Sequence, residues 1–163
     1  MHARPLAALA VAALALAAAC APSYRGPVVE PGTQTVDRNT SWYADLASPT
    51  PTLVGVTPLT GSVSMMAGAR DGRTRVALEL TGASPGGLHP WEVRHGRCGA
   101  DEGLLGPSAA YTPVRIPENG NASAAMTLPV QIPTTGSYFV NVLASAADGL
   151  VIACGNLAPP MTR

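Results

Sequence analysis

Residues 75–82, RVALELTG, alternate large apolar side chains with small or charged ones, and this pattern limits the fold to one built on β-strands. Val76, Leu78 and Leu80 share one face, and Glu79 lies on the other. A period of two residues places successive side chains on opposite faces of a strand. The segment therefore predicts a strand with one buried face and one exposed face.

The neighbouring segments extend this prediction along the chain. Residues 59–68, LTGSVSMMAG, alternate more loosely and are joined to the first strand by ARDGRT, whose Asp-Gly predicts an antiparallel hairpin. No stretch has helical spacing with caps, and the 17 Gly and 16 Pro suit many turns, so we expect an all-β sandwich or barrel. Further strands are predicted in LHPWEVRH (88–95), NASAAMTLPV (121–130), GSYFVNVLAS (136–145) and GLVIACGNL (149–157).

The first 19 residues have the features of a secretory signal peptide. Arg4 is followed by an unbroken run of Leu, Ala and Val that ends at Ala19, shorter than the roughly 20 apolar residues that span a bilayer. Leu16-Ala-Ala-Ala-Cys20 resembles a bacterial lipobox, although Leu16 lies one residue further from the cysteine than is usual. We expect lipidation of Cys20, which would anchor an exported protein to a membrane of a bacterial cell envelope, facing the periplasm or the outside. Ordinary cleavage near Ala19, with a free Cys20 thiol, is the alternative.

The remaining chain divides into a spacer and one domain. Residues 20–51 begin with Cys20, are rich in Pro, Ser and Thr, and are expected to form an extended spacer, with residues 52–163 forming the domain. Within the spacer, Trp42 and Tyr43 are expected to dock on the edge of the domain, and stacking on a ligand is the alternative. The chain has 10 basic and 10 acidic residues and no basic patch, so we expect no nucleic-acid partner.

Two motifs give the chain a resemblance to a known family. Residues 59–99 contain two strands about a turn and then Gly-Leu-His-Pro-Trp-Glu-Val-Arg, and the C-terminal segment contains Ala-Cys-Gly at 153–155. These resemble Cu/Zn superoxide dismutases, in which strand, turn and strand precede G-L-H-G-F-H-V-H and an ACG strand comes near the end. The resemblance covers about residues 59–157 and implies a Greek-key β-sandwich or barrel of immunoglobulin-like architecture.

The resemblance also implies structural roles for three residues. Cys98 and Cys154 match the family's disulfide-bonded pair, and export would supply the oxidising compartment that such a bond needs. His89 matches the histidine of G-L-H, which in the family ties a loop to a strand by hydrogen bonds and is not a metal ligand.

The metal ligands of the family are missing at the matching positions. Glu92 and Arg94 stand where the family's H-x-H supplies two copper ligands, and Leu143 stands at the last copper histidine. The bridging histidine would fall near Ala110 or Tyr111, which cannot ligate as imidazole does. The sequence therefore predicts copper and zinc sites vacated at Glu92, Arg94 and Leu143.

Other features of the family's active site are absent as well. The short loop 99–113 contains Asp101 and Glu102 but no histidine, and Val151 replaces the arginine that attracts superoxide. His95 is expected to be an exposed polar residue without a ligand role. One of Met65 and Met66 is expected to pack in the core, although methionine sulfur can bind Cu(I).

These losses predict a non-catalytic binding or structural module without a cofactor. We expect it to be held on a membrane through its lipid anchor and to bind an unknown envelope protein partner. The alternative is a metal-binding protein, or a weak superoxide dismutase with rearranged ligands, that holds copper or zinc. No nucleophile elbow, Cys-His pair outside the implied disulfide or phosphate-binding Gly loop points to another enzyme class.

Overall fold

The computed structural model describes residues 36–49, 58–70, 72–147 and 149–161, and this part of the chain is all-β. No helix within these residues is long and apolar enough to cross a membrane. Cys20 and the predicted signal peptide lie outside the described residues. The strands are β1 Trp42–Ala47, β2 Thr60–Ala67, β3 Thr74–Thr81, β4 Leu88–His89, β5 Trp91–Arg97, β6 Ala100–Leu104, β7 Val114–Arg115, β8 Ala122–Leu128, β9 Tyr138–Leu143 and β10 Val151–Leu157, with one 3-10 turn at Ser108–Ala110.

Eight of these strands form one curled antiparallel sheet in the order β6-β5-β9-β10-β1-β2-β3-β8, and β4 pairs with β7. One apolar core cluster includes side chains from β5 and from β8. In a flat sheet these two strands would lie roughly 29 Å apart, six spacings of about 4.8 Å. The sheet therefore curls so that one face encloses the core.

The hairpin predicted from the alternating segments is confirmed. Strands β2 and β3 pair antiparallel from Thr60↔Thr81 to Ala67↔Thr74, and Gly68 N–H donates to the Arg73 carbonyl oxygen at 2.8 Å across the turn. The side chains of Val76, Leu78 and Leu80 are buried and that of Glu79 is exposed, as the period of two requires. Met65 is also fully buried, which confirms the expectation that one of the two adjacent methionines packs in the core.

The prediction of a spacer through residue 51 is wrong for its C-terminal part. Residues 42–47 form β1, which lies between β10 and β2 in the interior of the sheet order. Trp42 is 1% exposed, its ring meets Tyr138 edge-on at 5.3 Å, and its Nε1–H donates to the Pro133 carbonyl oxygen at 2.9 Å. Apolar Trp42, Ala44 and Leu46 alternate with polar neighbours, and the surrounding Pro, Ser and Thr obscured this short strand.

A second difference concerns the segment after β5, which was expected to begin a loop. Residues 100–104 form β6, an edge strand paired only with β5. Its side chains are mostly exposed, so no buried apolar face marks it in the sequence. Cys98 and Gly99, with φ +83° at the glycine, make the tight connection between the two strands.

Candidate functional site

An open depression of about 650 Å³ lies on the outer face of the sheet, over β5, β9 and β10. It brings together the three positions at which copper ligands were predicted to be lost: Glu92, Arg94 and Leu143. Val151, at the position of the family's arginine, lines it too. The full lining is Pro49, Glu92, Arg94, Cys98, Gly99, Asp101, Phe139, Asn141, Leu143, Gly149, Val151 and Cys154.

Strand periodicity explains why these residues meet. Glu92 and Arg94 are two residues apart in β5 and share its outer face, because Trp91 and Val93 on the other face are buried in the core. In the neighbouring strand β9, Asn141 pairs with Glu92 in register. Such directly opposed residues on antiparallel strands hold their side chains close together.

Phe139 forms an apolar floor beside these polar groups. It pairs with Arg94 in register and is 1% exposed, yet it lies outside the core cluster to which Val140 and Val142 belong. Its side chain is therefore buried on the outer face of the sheet, beneath the depression. Together with Leu143 it makes the depression apolar at its base and charged at its wall.

The charged wall is a guanidinium held between two carboxylates. Arg94 Nη1 donates to Glu92 Oε2 at 2.5 Å, and Arg94 Nε lies 2.7 Å from Asp101 Oδ2. The second contact is an ion pair, but the N–H of Nε does not point at the carboxylate oxygen. Nε is therefore buried without a hydrogen-bond acceptor among the described residues. Arg94 and Glu92 are each about a quarter exposed, so solvent screens the pair and it contributes under about 1 kcal/mol.

The ion pairs shift the pKa of two of the groups. The Arg94 guanidinium, together with the Gly103 N–H that donates to Asp101 Oδ1 at 2.8 Å, lowers the pKa of the Asp101 carboxyl below its usual range. The contact with the Asp101 carboxylate raises the pKa of Arg94 most, burial opposes this rise, and the hydrogen bond to Glu92 adds to it. Both groups are therefore held in their charged forms.

We expect the contribution of Asp101 to stability to depend on pH. Because its pKa is lowered by folding, its ion pair stabilises the fold above the ordinary aspartate value of 3.8, and this stabilisation is lost as pH falls through the lowered folded-state value. The difference in unfolding midpoint between the wild type and Asp101→Asn should be constant above about pH 5 and shrink below it. Chemical denaturation at a series of pH values measures this. Glu102→Gln, which removes the charge of the neighbouring exposed carboxylate, is the matched control and should not share that profile.

The donor set at these positions does not suit copper. A guanidinium stays protonated and has no lone pair to offer, leucine has no donor atom, and the one carboxylate is already paired with Arg94. Within the described residues, no three His, Cys, Asp or Glu side chains are grouped so that they could hold a metal ion.

The disulfide implied by the resemblance is present. Cys98 and Cys154 are bonded, with their Cα atoms 6.0 Å apart, and both line the rim of the depression. The backbone N–H of Cys98 also donates to Asn156 Oδ1 at 2.9 Å. The disulfide and this hydrogen bond thus both link the β5–β6 connection to β10.

His89 lies outside the depression. Its Nδ1 is 3.1 Å from the carbonyl oxygens of both Leu143 and Ala144. Carbonyl oxygens can only accept, so hydrogen bonds there require the proton on Nδ1. His89 thus joins β4 to the end of β9, where Leu143 lies.

The other candidate residues are spread over the domain. Tyr111 does not line the depression. Its hydroxyl has one proton to donate and lies 2.6 Å from the carbonyl oxygen of Leu105 and 3.1 Å from that of Val93, and burial raises its pKa. Ala110 packs against the core. His95 is half-buried, with its ring 5.0 Å from that of Tyr138.

Sequence reasoning missed Asp101 as a member of the site. The sequence predicts a loop at this residue, because β6 has no apolar alternation. The signal that could have found it is the Cys98-Gly99 pair, a short turn after a strand that predicts a hairpin return and so places the next residues beside β5.

Comparisons with known proteins add no family to this description, since no protein-family model and no curated protein matches the chain. The ground for a functional proposal is the geometry of the depression.

Proposed function

We propose that this protein is a non-catalytic binding or structural module of the bacterial cell envelope. Its domain would be a superoxide dismutase-like Greek-key sandwich in which the copper position holds an ion-pair cluster in place of a metal. In this proposal the protein works through the surface around the depression, by binding an envelope partner, and needs neither copper nor zinc.

The strand order supports the fold in this proposal. The chain crosses the sheet from β3 to β5 and again from β6 to β8, and β9 then returns beside β5. Long returns of this kind, which place a later strand beside an earlier one, define Greek-key connections.

The observation that carries the proposal is the convergence of three replaced positions. The resemblance assigned Glu92, Arg94 and Leu143 to one metal centre from sequence alone, and they line one depression. Positions that converge in this way fit an ancestral site better than an accidental likeness. Their present chemistry, an ion pair beside a leucine, fits a site from which the metal has been lost.

Copper binding tests the proposal directly. The wild-type chain should hold no stoichiometric copper, whereas Glu92→His, Arg94→His and Leu143→His together should create a copper site, because imidazole nitrogens are ligands that copper binds well. Superoxide turnover of the triple variant should stay low, since neither Ala110 nor Tyr111 supplies a bridging imidazole. Copper per chain, measured by elemental analysis after dialysis, and superoxide turnover are the two readouts.

The matched control changes the same positions without adding ligands. Glu92→Gln, Arg94→Leu and Leu143→Ala together remove the charges and should bind no more copper than the wild type. One tightly held copper in the unmodified chain, with fast turnover, would instead establish the alternative, a metalloenzyme with rearranged ligands. Copper binding by the control variant would show that the site lies elsewhere.

Membrane attachment is a separate part of the proposal and has its own test. Because Cys20 follows an apolar run and small residues, we expect the exported protein in the membrane fraction and expect Cys20→Ala to move it to the soluble fraction. Cys98→Ser, which removes a different cysteine, should leave the membrane fraction unchanged. Recovery of the Cys20→Ala protein with membranes to the wild-type extent would show that Cys20 is not the anchor.

A further inference from the structure

We propose that the Cys98–Cys154 disulfide is a redox-operated latch: its reduction releases strand β6, opens the Arg94–Asp101 ion pair and removes one wall of the depression. This role does not depend on whether the depression ever held a metal. The proposed latch role follows from the few contacts, apart from the disulfide, that hold β6 in the sheet.

Strand β6 has little apolar packing of its own. Among the described strands β6 is at an edge of the sheet and pairs with β5 alone, and Ala100, Asp101 and Glu102 are all exposed. The ladder between β5 and β6 is interrupted by a register shift between His95 and Gly96. Segments with few buried apolar contacts and irregular backbone pairing open at low free-energy cost.

The disulfide supplies the fastening that packing does not. Cys98 sits in the connection that leads into β6, and Cys154 sits in β10. Strand β9 lies between β5 and β10 in the sheet order, so the disulfide reaches across β9 and ties the β5–β6 hairpin to β10. Backbone pairing with β5 and the buried side chain of Leu105, just after the strand, also hold β6. The other local contacts are polar: the Cys98 N–H to Asn156 Oδ1 bond and the Arg94–Asp101 ion pair.

The latch is coupled to the depression through Asp101, which follows Cys98 by three residues. Cys98, Gly99 and Asp101 form one side of the depression. When β6 leaves β5, Asp101 leaves Arg94, and the guanidinium retains Glu92 as its one charged partner. The reduced form would therefore present a wider depression with one carboxylate fewer.

The redox step needs an external dithiol, which supplies two electrons. One of its thiolates attacks a sulfur of the Cys98–Cys154 bond to form a mixed disulfide and displaces the other cysteine as thiolate. The second thiol of the reagent then displaces the first cysteine, so the dithiol becomes a disulfide and Cys98 and Cys154 each take up one proton. Both cysteines are half-buried at the rim of an open depression, so a thiolate can approach.

Amide hydrogen exchange on the intact chain tests the latch. The probe is the N–H of Leu105, which donates to the Val93 carbonyl oxygen at 2.9 Å just after β6; the reference is the N–H of Leu78 in the interior strand β3. The folded protein is treated with dithiothreitol well below the melting temperature of the reduced form, and mass spectrometry verifies that both thiols are free. In the reduced protein, Leu105 should exchange about tenfold or more faster than Leu78, through a local opening that low denaturant hardly affects. Exchange at Leu78 should speed up only by the factor that the loss of global stability gives. In parallel, the pKa of Asp101 followed by NMR should rise toward its ordinary value.

Three outcomes would overturn the proposal. Unchanged exchange at Leu105 with both thiols reduced would show that β6 needs no latch. Equal exchange rates at Leu105 and Leu78 in the reduced protein, both rising steeply with denaturant, would show that the disulfide holds the whole fold and not this strand. The variant Asp101→Asn, studied with the disulfide intact, is the third arm: exchange at Leu105 as fast as in the reduced protein would assign the fastening to the ion pair.

Discussion

Loss of the Cys98–Cys154 disulfide should lower the free energy of unfolding by about 4 kcal/mol, the value that the chain-entropy model gives for a closed loop of this size. The two cysteines are 56 residues apart, so the bond removes many conformations from the unfolded chain. Cys98→Ser and treatment of the wild type with a reductant should lower the melting temperature to a similar extent. Denaturant unfolding with and without reductant measures the loss.

The internal control for this effect is the combination of the two perturbations. A reductant should have no further effect on Cys98→Ser, because the bond is already absent. A Cys20→Ala chain should respond to reductant as the wild type does. Alkylation of both Cys98 and Cys154 in the folded, exported protein without reductant would show that the bond does not form in the cell.

Trp42→Ala should destabilise the protein by about 3–5 kcal/mol, the range for removal of a buried tryptophan side chain. Trp42 is almost completely buried and packs edge-on against Tyr138, and its indole N–H satisfies the Pro133 carbonyl oxygen. The truncation leaves a cavity and takes its donor from a partly buried carbonyl group. The shift in the denaturant midpoint at constant slope measures the loss.

The neighbouring Tyr43 provides the matched control. It points to the opposite face of β1, where Arg38 lies 3.9 Å from its ring centroid and its hydroxyl donates to Asp45 at 2.8 Å. Tyr43→Ala should cost about 1 kcal/mol or less, as exposed cation–π contacts do. Equally small effects of both substitutions would mean that residues 42–47 are not part of the folded core.

The fold was most predictable where alternation was regular. Strand β3 alternates without interruption, and its partner β2 follows from the turn between them, so their pairing and buried faces could be predicted. Strand β1 was missed because it has only six residues and is flanked by segments rich in Pro, Ser and Thr. Its alternation of apolar residues with a tyrosine and an exposed aspartate is too short to indicate a strand clearly. Its place in the sheet interior depends on long-range pairing with β10, which no local pattern encodes.

The site was predictable in its positions and less so in its contacts. Spacing of two residues placed Glu92 and Arg94 on one face, and the resemblance added Leu143 from another strand; the structure puts all three at one depression. Asp101 could not be assigned from spacing, because it reaches Arg94 through the curl of an exposed hairpin. The buried Phe139 beneath the site was also unforeseen, since alternation alone does not distinguish an outer face that is covered from one that is open.

The interior position of β1 also determines how the domain would bear a pull. Strand β1 is the first described strand, and the predicted anchor at Cys20 precedes it, so tension between membrane and domain would enter at Trp42. Six register pairs join β1 to β2, and in an antiparallel pair the inter-strand hydrogen bonds run perpendicular to the strands. A load along β1 would shear these bonds together, whereas a load across a free edge would peel them apart one at a time. The anchored end of the domain would thus be its mechanically resistant end.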